Sequence, residues 1–232
     1  MMDEPIVLCI ETATKNCSVA LYEGADCIAH RQEWAEQYSH AESLHVFIDE
    51  VLEDAGLEPE DIDLIALSDG PGSYTGLRIG AATAKGMGFA LSIPVVTVSS
   101  LDVLAAEWFA SEPAPGSLLL SNLDARRMEA YVTWFSASGE KLTGINPVIF
   151  DEESVQEIKE EYGSFFLAGD ASEKIFLKFE GRAINTGIDY PDARYMIYAA
   201  LEKYDQGEFS DLAYFEPNYI KDFQPGVPKK LI

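Results

Sequence analysis

The chain has 232 residues, 40 of them acidic and 16 basic, for a formal charge of −24. Such an excess repels a polyanion over most of the surface and disfavours an anionic membrane face, which excludes an unaided nucleic-acid binder. No run of ~18 apolar residues offers a spanning helix, and a hydrophobic fraction of 47% suits a globular core rather than a disordered chain. The three cysteines, Cys9, Cys17 and Cys27, have neither C-x-x-C spacing nor an even count, so they are expected to be reduced. The first residues lead with acid rather than the basic segment of a secretory signal. The expectation is a soluble, cytoplasmic protein.

In chain order, the apolar run Ile6 to Ile10 predicts a buried strand, and a second run, Cys17 to Tyr22, follows the polar turn Glu11 to Asn16. A third strand around Cys27 to Arg31 would complete an antiparallel meander. Ser39, with Glu42 three residues on, predicts a capping box. It opens a helix whose apolar residues Leu44, Phe47, Ile48, Val51, Leu52 and Ala55 recur at helical spacing up to Gly56 as the cap. Leu64 to Ser68 reads as a buried strand ending in the glycine-rich turn Asp69 to Gly76, before a helix from about Leu77 to Leu91. Pro94 to Val98 predicts a strand and Ser99 or Ser100 a cap for a helix reaching Ala110. The Pro- and Gly-bearing stretch 111–117 is the most linker-like in the chain. It is expected to divide an N-terminal lobe, 1–110, from a smaller lobe, 111–232, whose last helix could return to the first. Beyond it, strands are predicted at Leu118 to Ser121, Glu129 to Phe135 and Phe165 to Ala168, and helices at 152–162 and 192–207. The tail from Gln224 is expected to be loose, and no internal repeat is visible.

Candidate chemistry is sparse. Gly70, Gly72 and Gly76 lie between a strand and a helix, where free N–H groups favour an anion. The spacing misses G-x-G-x-x-G, because Thr75 stands at the third glycine, and it lacks the lysine of a P-loop. A tight turn required by the fold is the expectation, with Ser73 an ordinary turn hydroxyl. His40 and His45 are five apart, ~140° around a helix, which excludes a shared metal; they are expected to be solvated or partner-facing. Asp124, Arg126 and Arg127 read as a salt-bridged loop. Glu11, Thr12 and Thr14 are expected to be solvated turn residues. The helix from Leu77 carries small residues at Gly80, Ala84 and Gly88, four apart, with Ala81 beside them. Each interior glycine costs roughly 1 kcal/mol relative to alanine, so close packing is implied, either on the sheet or against another subunit.

Assembled, the segments resemble a known family. The hairpin Ile10 to Leu21 and the block Gly70-Pro71-Gly72-Ser73-Tyr74-Thr75-Gly76-Leu77-Arg78-Ile79-Gly80 are similar to the TsaB family, also called YeaZ. Pro94 to Leu101, Asp124-Ala125-Arg126-Arg127 and Pro217-Asn218-Tyr219-Ile220-Lys221 extend the likeness. The resemblance implies an α/β fold of the two-lobed, actin-like ATPase class (ASKHA, ribonuclease H-like), with mixed sheets flanked by helices. It also implies a non-catalytic scaffold that binds TsaD and supports transfer of threonylcarbamoyl to N6 of adenosine 37 in tRNA. TsaD carries a histidine pair whose positions correspond to Ser100 and Leu104 here, so no metal site is expected. Glu11 stands where the family usually has Asp, which weakens any claim to ATP hydrolysis. The alternative is an active ATPase or kinase using Glu11, Thr12, Gly72 and Ser73 around Mg-ATP.

By the same resemblance the helices from Ser39 and Leu77 form the partner surface, carried by Leu44, His45, Ile48, Leu52, Arg78, Gly80, Ala81, Ala84 and Gly88. The implied partners are TsaD, TsaE and a second copy when TsaD is absent, with tRNA reached only through the complex. No cofactor is expected in the isolated subunit, ATP or ADP at the interface of the complex being left open. On this reading Ala84→Trp leaves the monomer folded and abolishes pairing.

Overall fold

A computed structural model describes residues 4–34 and 40–221. The expected capping residue Ser39 and the tail from Gln224 lie outside them. The first apolar runs form an antiparallel meander, β1 (Ile6–Glu11), β2 (Asn16–Glu23) and β3 (Asp26–Trp34). β4 (Leu64–Gly70) and β5 (Val95–Ser99) add in parallel, giving the order β3-β2-β1-β4-β5. β1 is apolar on both faces because both are covered. Leu8 and Ile10 meet α1 (His40–Ala55) and α2 (Tyr74–Leu91). Val7 and Cys9 meet α6 (Ile197–Gln206) and Val103 of α3 (Ser100–Ala110).

The second sheet repeats this plan. β6 (Leu118–Asp124), β7 (Glu129–Ser136) and β8 (Asn146–Ile149) form a meander, and β9 (Phe165–Ala168) and β10 (Ala183–Asn185) extend it in parallel, in the order β10-β9-β6-β7-β8. α4 (Glu152–Glu161) and α5 (Ser172–Phe176) stand where α1 and α2 stand in the first unit. A duplicated topology therefore exists without a sequence repeat, since topology needs only matching hydrophobic periods. Both sheets are mixed and flanked by helices, as the resemblance implied.

The helix α3 joins the halves. Its Val103 packs on the first sheet, while Leu101, Leu104, Ala105 and Trp108 pack against Leu119, Leu123, Phe135 and Ala168 of the second. The Ser121 hydroxyl also donates to the Leu101 carbonyl at 2.8 Å. The chain then returns to the first sheet. Asn16 donates to the Pro191 carbonyl at 3.1 Å, Ala193 N–H to the Ser18 hydroxyl at 2.9 Å and the Tyr22 hydroxyl to the Arg194 carbonyl at 2.5 Å, before α6 docks.

Several boundaries differ from the sequence expectation. α2 starts at Tyr74 rather than Leu77, because Ser73 caps it by accepting the Gly76 N–H at 3.3 Å. The expected helix over 192–207 divides into a 3-10 turn, Ala193–Tyr195, and α6. β8, β10 and α5 were not foreseen; each has five residues or fewer, too short to establish a period. Among the described residues no helix is long and apolar enough to cross a membrane.

Leu104 is fully buried where α3 meets the second sheet. Leu104→Ala is expected to lower the unfolding free energy by about 2–5 kcal/mol, read from urea denaturation. A loss below ~1 kcal/mol would show that this contact does not join the halves.

Candidate functional site

Two turns meet at the carboxyl ends of β1 and β4. The Ser73 N–H donates to the Ala13 carbonyl at 2.6 Å, and the Thr12 hydroxyl donates to the Gly76 carbonyl at 2.9 Å. The glycines permit this approach. A Cβ on Gly72 would lie 2.3 Å from the Ala13 oxygen, and one on Gly76 2.0 Å from the Thr12 oxygen. Glu11, Thr12 and Thr14 are therefore buried rather than solvated. His40 is buried too, its Nε2 lying 2.6 Å from the Thr14 carbonyl, and burial lowers its pKa; of the histidine pair only His45 is exposed.

Glu11 has no exposed surface. Its Oε1 accepts the Ala13 N–H at 2.5 Å, while Oε2 has no hydrogen-bond partner. Burial pushes its pKa up to about 8, so the carboxyl is neutral at pH 7. Beside it the hydroxyls of Ser68 and Ser100 are 2.7 Å apart, and Leu104 is core. The weak cofactor candidates Glu11, Thr12, Gly72 and Ser73 thus cluster as expected, but with their polar groups directed largely into the protein. A neutral acid makes a poor ligand for Mg²⁺.

A cleft of about 1100 Å³ opens above these turns. One wall is Lys15 and the Gly72 to Thr75 turn. The other is the β6–β7 turn with Asp170, and the rim carries Tyr219 to Lys221. Asp170 is held largely protonatable, its pKa pushed up to about 6 by burial, even as its Oδ1 accepts the Asp124 N–H at 2.7 Å. Asp124 pairs with Lys174 rather than with Arg126 or Arg127. The expected salt-bridged loop thus recruits its cation from α5.

The helix surface also differs from expectation. Leu44, Ile48, Leu52, Gly80, Ala81, Ala84 and Gly88 are all buried within the chain. The small residues of α2 face the sheet: a Cβ on Gly80 would lie 2.4 Å from the Thr12 hydroxyl and one on Gly88 2.8 Å from Val95. Intramolecular packing accounts for that stripe, and Ala84, with no exposed surface, cannot take a Trp without disrupting the core. Of the nine residues only His45 and Arg78 are exposed. Arg78 lies over the Tyr74 ring at 4.2 Å and donates to the Tyr219 hydroxyl at 3.3 Å.

The outward face of α2 instead presents Thr75, Arg78, Ala82, Gly86 and Phe89. Gly86 has open space above it and Phe89 is 81% exposed. On α1, packed beside it on the same sheet face, Val46 is 50% exposed. The pair Ala82 and Gly86 was missed; its signal was a second small-residue spacing of four on the same helix, one step out of phase with the first.

Comparison with known proteins places the chain. A family model described as "TsaD: tRNA N6-adenosine threonylcarbamoyltransferase" matches residues 34–176, more than half of the sequence. A tRNA threonylcarbamoyladenosine biosynthesis protein TsaB from Haemophilus influenzae is 28% identical over 95% of both chains. Its Escherichia coli counterpart is 26% identical over 93% of this chain and 94% of its own. In structure, YeaZ from Pseudomonas aeruginosa superimposes with a TM-score of 0.79 at 24% identity, covering 93% of this chain and 100% of that one.

The buried carboxyl gives a pH test. Folded Glu11 keeps its proton to about pH 8, whereas an unfolded glutamate loses it near ~4.3. The folded state binds the extra proton between these values, so this group's contribution falls as pH rises through that window. Glu11→Gln keeps the oxygen that Ala13 bonds and removes the titration. Its stability relative to the original chain is expected to rise by several kcal/mol between pH ~5 and ~8, measured by denaturation at each pH. A pH-independent difference would mean that Glu11 is ionised in the folded state.

Proposed function

The chain belongs to the TsaD family of tRNA N6-adenosine threonylcarbamoyltransferase proteins, and from that premise we propose that it serves tRNA threonylcarbamoyladenosine biosynthesis as a partner subunit of TsaD rather than as the transferase itself. Its similarity to TsaB proteins over nearly its whole length supports the subunit reading.

The observation that carries it is the outward face of α1 and α2. An exposed aromatic beside small residues is an uncommon way to end a surface helix, because Phe89 leaves a large apolar area in water. Ala82 and Gly86 lower the surface beside it, so the backbone of another helix can approach closely. Acidic Glu42, Asp49 and Glu53 flank this face on α1, and a partner surface with basic groups at its rim complements them. TsaD is the proposed occupant. A second copy of the chain takes the same face when TsaD is absent, and TsaE joins the pair. tRNA is then held through the complex, consistent with the charge of −24.

A non-catalytic role is supported by the turns. The Ser73 amide and the Thr12 hydroxyl, which a nucleotide phosphate would need, are bonded within the chain. Glu11 is neutral and lacks the charge to hold Mg²⁺. The isolated subunit is accordingly proposed to turn over no ATP.

Phe89→Asp and Ala82→Trp are each expected to weaken pairing with TsaD by at least ~10-fold while leaving the melting temperature unchanged, as read by size-exclusion chromatography with light scattering and by thermal denaturation. Ala84→Trp, by contrast, is expected to unfold the chain. Undiminished pairing by both surface variants would place the partner elsewhere.

A further inference from the structure

The turn between β6 and β7 is built in an unfavourable way. Arg126 and Arg127 both have left-handed backbones, with φ of 73° and 52°. Two consecutive left-handed residues are the pattern of a hairpin turn that asparagine and glycine fill without strain, and arginine does not. The surroundings hold the turn in place. Lys174 donates to the Arg127 carbonyl at 3.1 Å and to the Glu129 carbonyl at 2.6 Å, and also pairs with Asp124. The Glu129 N–H donates to the Arg126 carbonyl at 3.2 Å. Strain maintained this way is characteristic of a functional position.

The charges nearby are distributed unevenly. Each carboxylate of the turn is engaged: Asp124 with Lys174, Glu129 with Lys221, and Asp170 with the Asp124 N–H. The guanidinium groups of Arg126 and Arg127, and the ammonium of Lys15 on the opposite wall, make no ion pair or hydrogen bond among the described residues. In a chain with 40 acids and 16 bases, three unpaired cations lining one cleft run against the overall balance. Their two walls enclose about 1100 Å³, into which Tyr131 and Tyr190 also face.

We propose that this cleft binds a compact phosphate-bearing small molecule, with Arg126, Arg127 and Lys15 holding the phosphate and the tyrosines flanking the organic part. Planar guanidinium groups match phosphate oxygens in pairs. The surrounding negative field excludes a long polyanion and admits an anion small enough to sit within a Debye length of the three cations. The contact does not run through the glycine turn, whose Ser73 amide is bonded to Ala13. The site is separate from the outward face of α2, so its failure and the failure of the pairing proposal have different readouts.

The test is calorimetric titration of the full chain with inorganic pyrophosphate, with AMP and with a short single-stranded RNA, alongside the double variant Arg126→Asn, Arg127→Gly. Pyrophosphate and AMP are expected to bind, and the double variant to bind them at least ~10-fold more weakly. Its melting temperature should be equal or higher, because asparagine and glycine relieve the turn. Lys15→Gln should weaken binding by a smaller factor. Equal binding by the double variant, no binding by the original chain up to the ~10 mM range, binding of the RNA alone, or a double variant that melts lower would each overturn the proposal.

Discussion

The contact between the first hairpin turn and the start of α2 constrains much else in this protein. Ala13 and Thr12 lie against Gly72, Gly76 and Gly80 so closely that no Cβ fits at any of the three. That approach buries Glu11 and leaves its Oε2 without a partner, which is why the carboxyl holds its proton. It also fixes which side of α2 faces the sheet. With Gly80, Ala84 and Gly88 turned inward, a helical period of 3.6 turns Ala82, Gly86 and Phe89 outward. The sealed turn and the exposed aromatic are two consequences of one packing decision.

The two sheets share one strand plan and treat the same position oppositely. After β1 the chain turns into the protein, and Glu11, Thr12 and Thr14 are buried there. After β6 the corresponding turn projects into the cleft with two arginines in left-handed conformation. The first turn is held by glycines that accept close backbone contact, and the second by Lys174 reaching across from α5. One half of the cleft thus has its polar groups consumed and the other has charges to spare. The two sides of one cavity do different chemistry although the topology that built them is the same.

The acidity of the chain acts at two ranges. Over the whole surface it opposes nucleic acid, so a role in tRNA modification requires another subunit to hold the RNA. Locally, the few cations are placed where acids do not neutralise them, or where they clamp backbone carbonyls, as Lys85, Lys174 and Lys203 do. Asp192 shows the opposite arrangement. Hydrogen bonds from His30 and Arg194 outweigh its burial and lower its pKa to about 2, and the charged carboxylate caps the turn that leads α6 back to the first sheet.

The fold was largely legible in the sequence. Continuous apolar runs in β1, β4 and β5 announced strands covered on both faces, and the glycine block and its neighbours carried the resemblance to the TsaB family. Local signals also located α1 and α3 and most of their boundaries. The sequence could not say which face of α2 was buried. Small residues recur four apart in two phases, 80-84-88 and 82-86, and periodicity assigns both to helix faces without telling inside from outside. That choice was made by the approach of Thr12 and Val95, residues distant in the chain. The same limit hid the buried state of Glu11 and the freedom of the two arginines. Whether a charged side chain is solvated, sealed or unpaired depends on what the rest of the chain brings to it, and only the tertiary structure decides that.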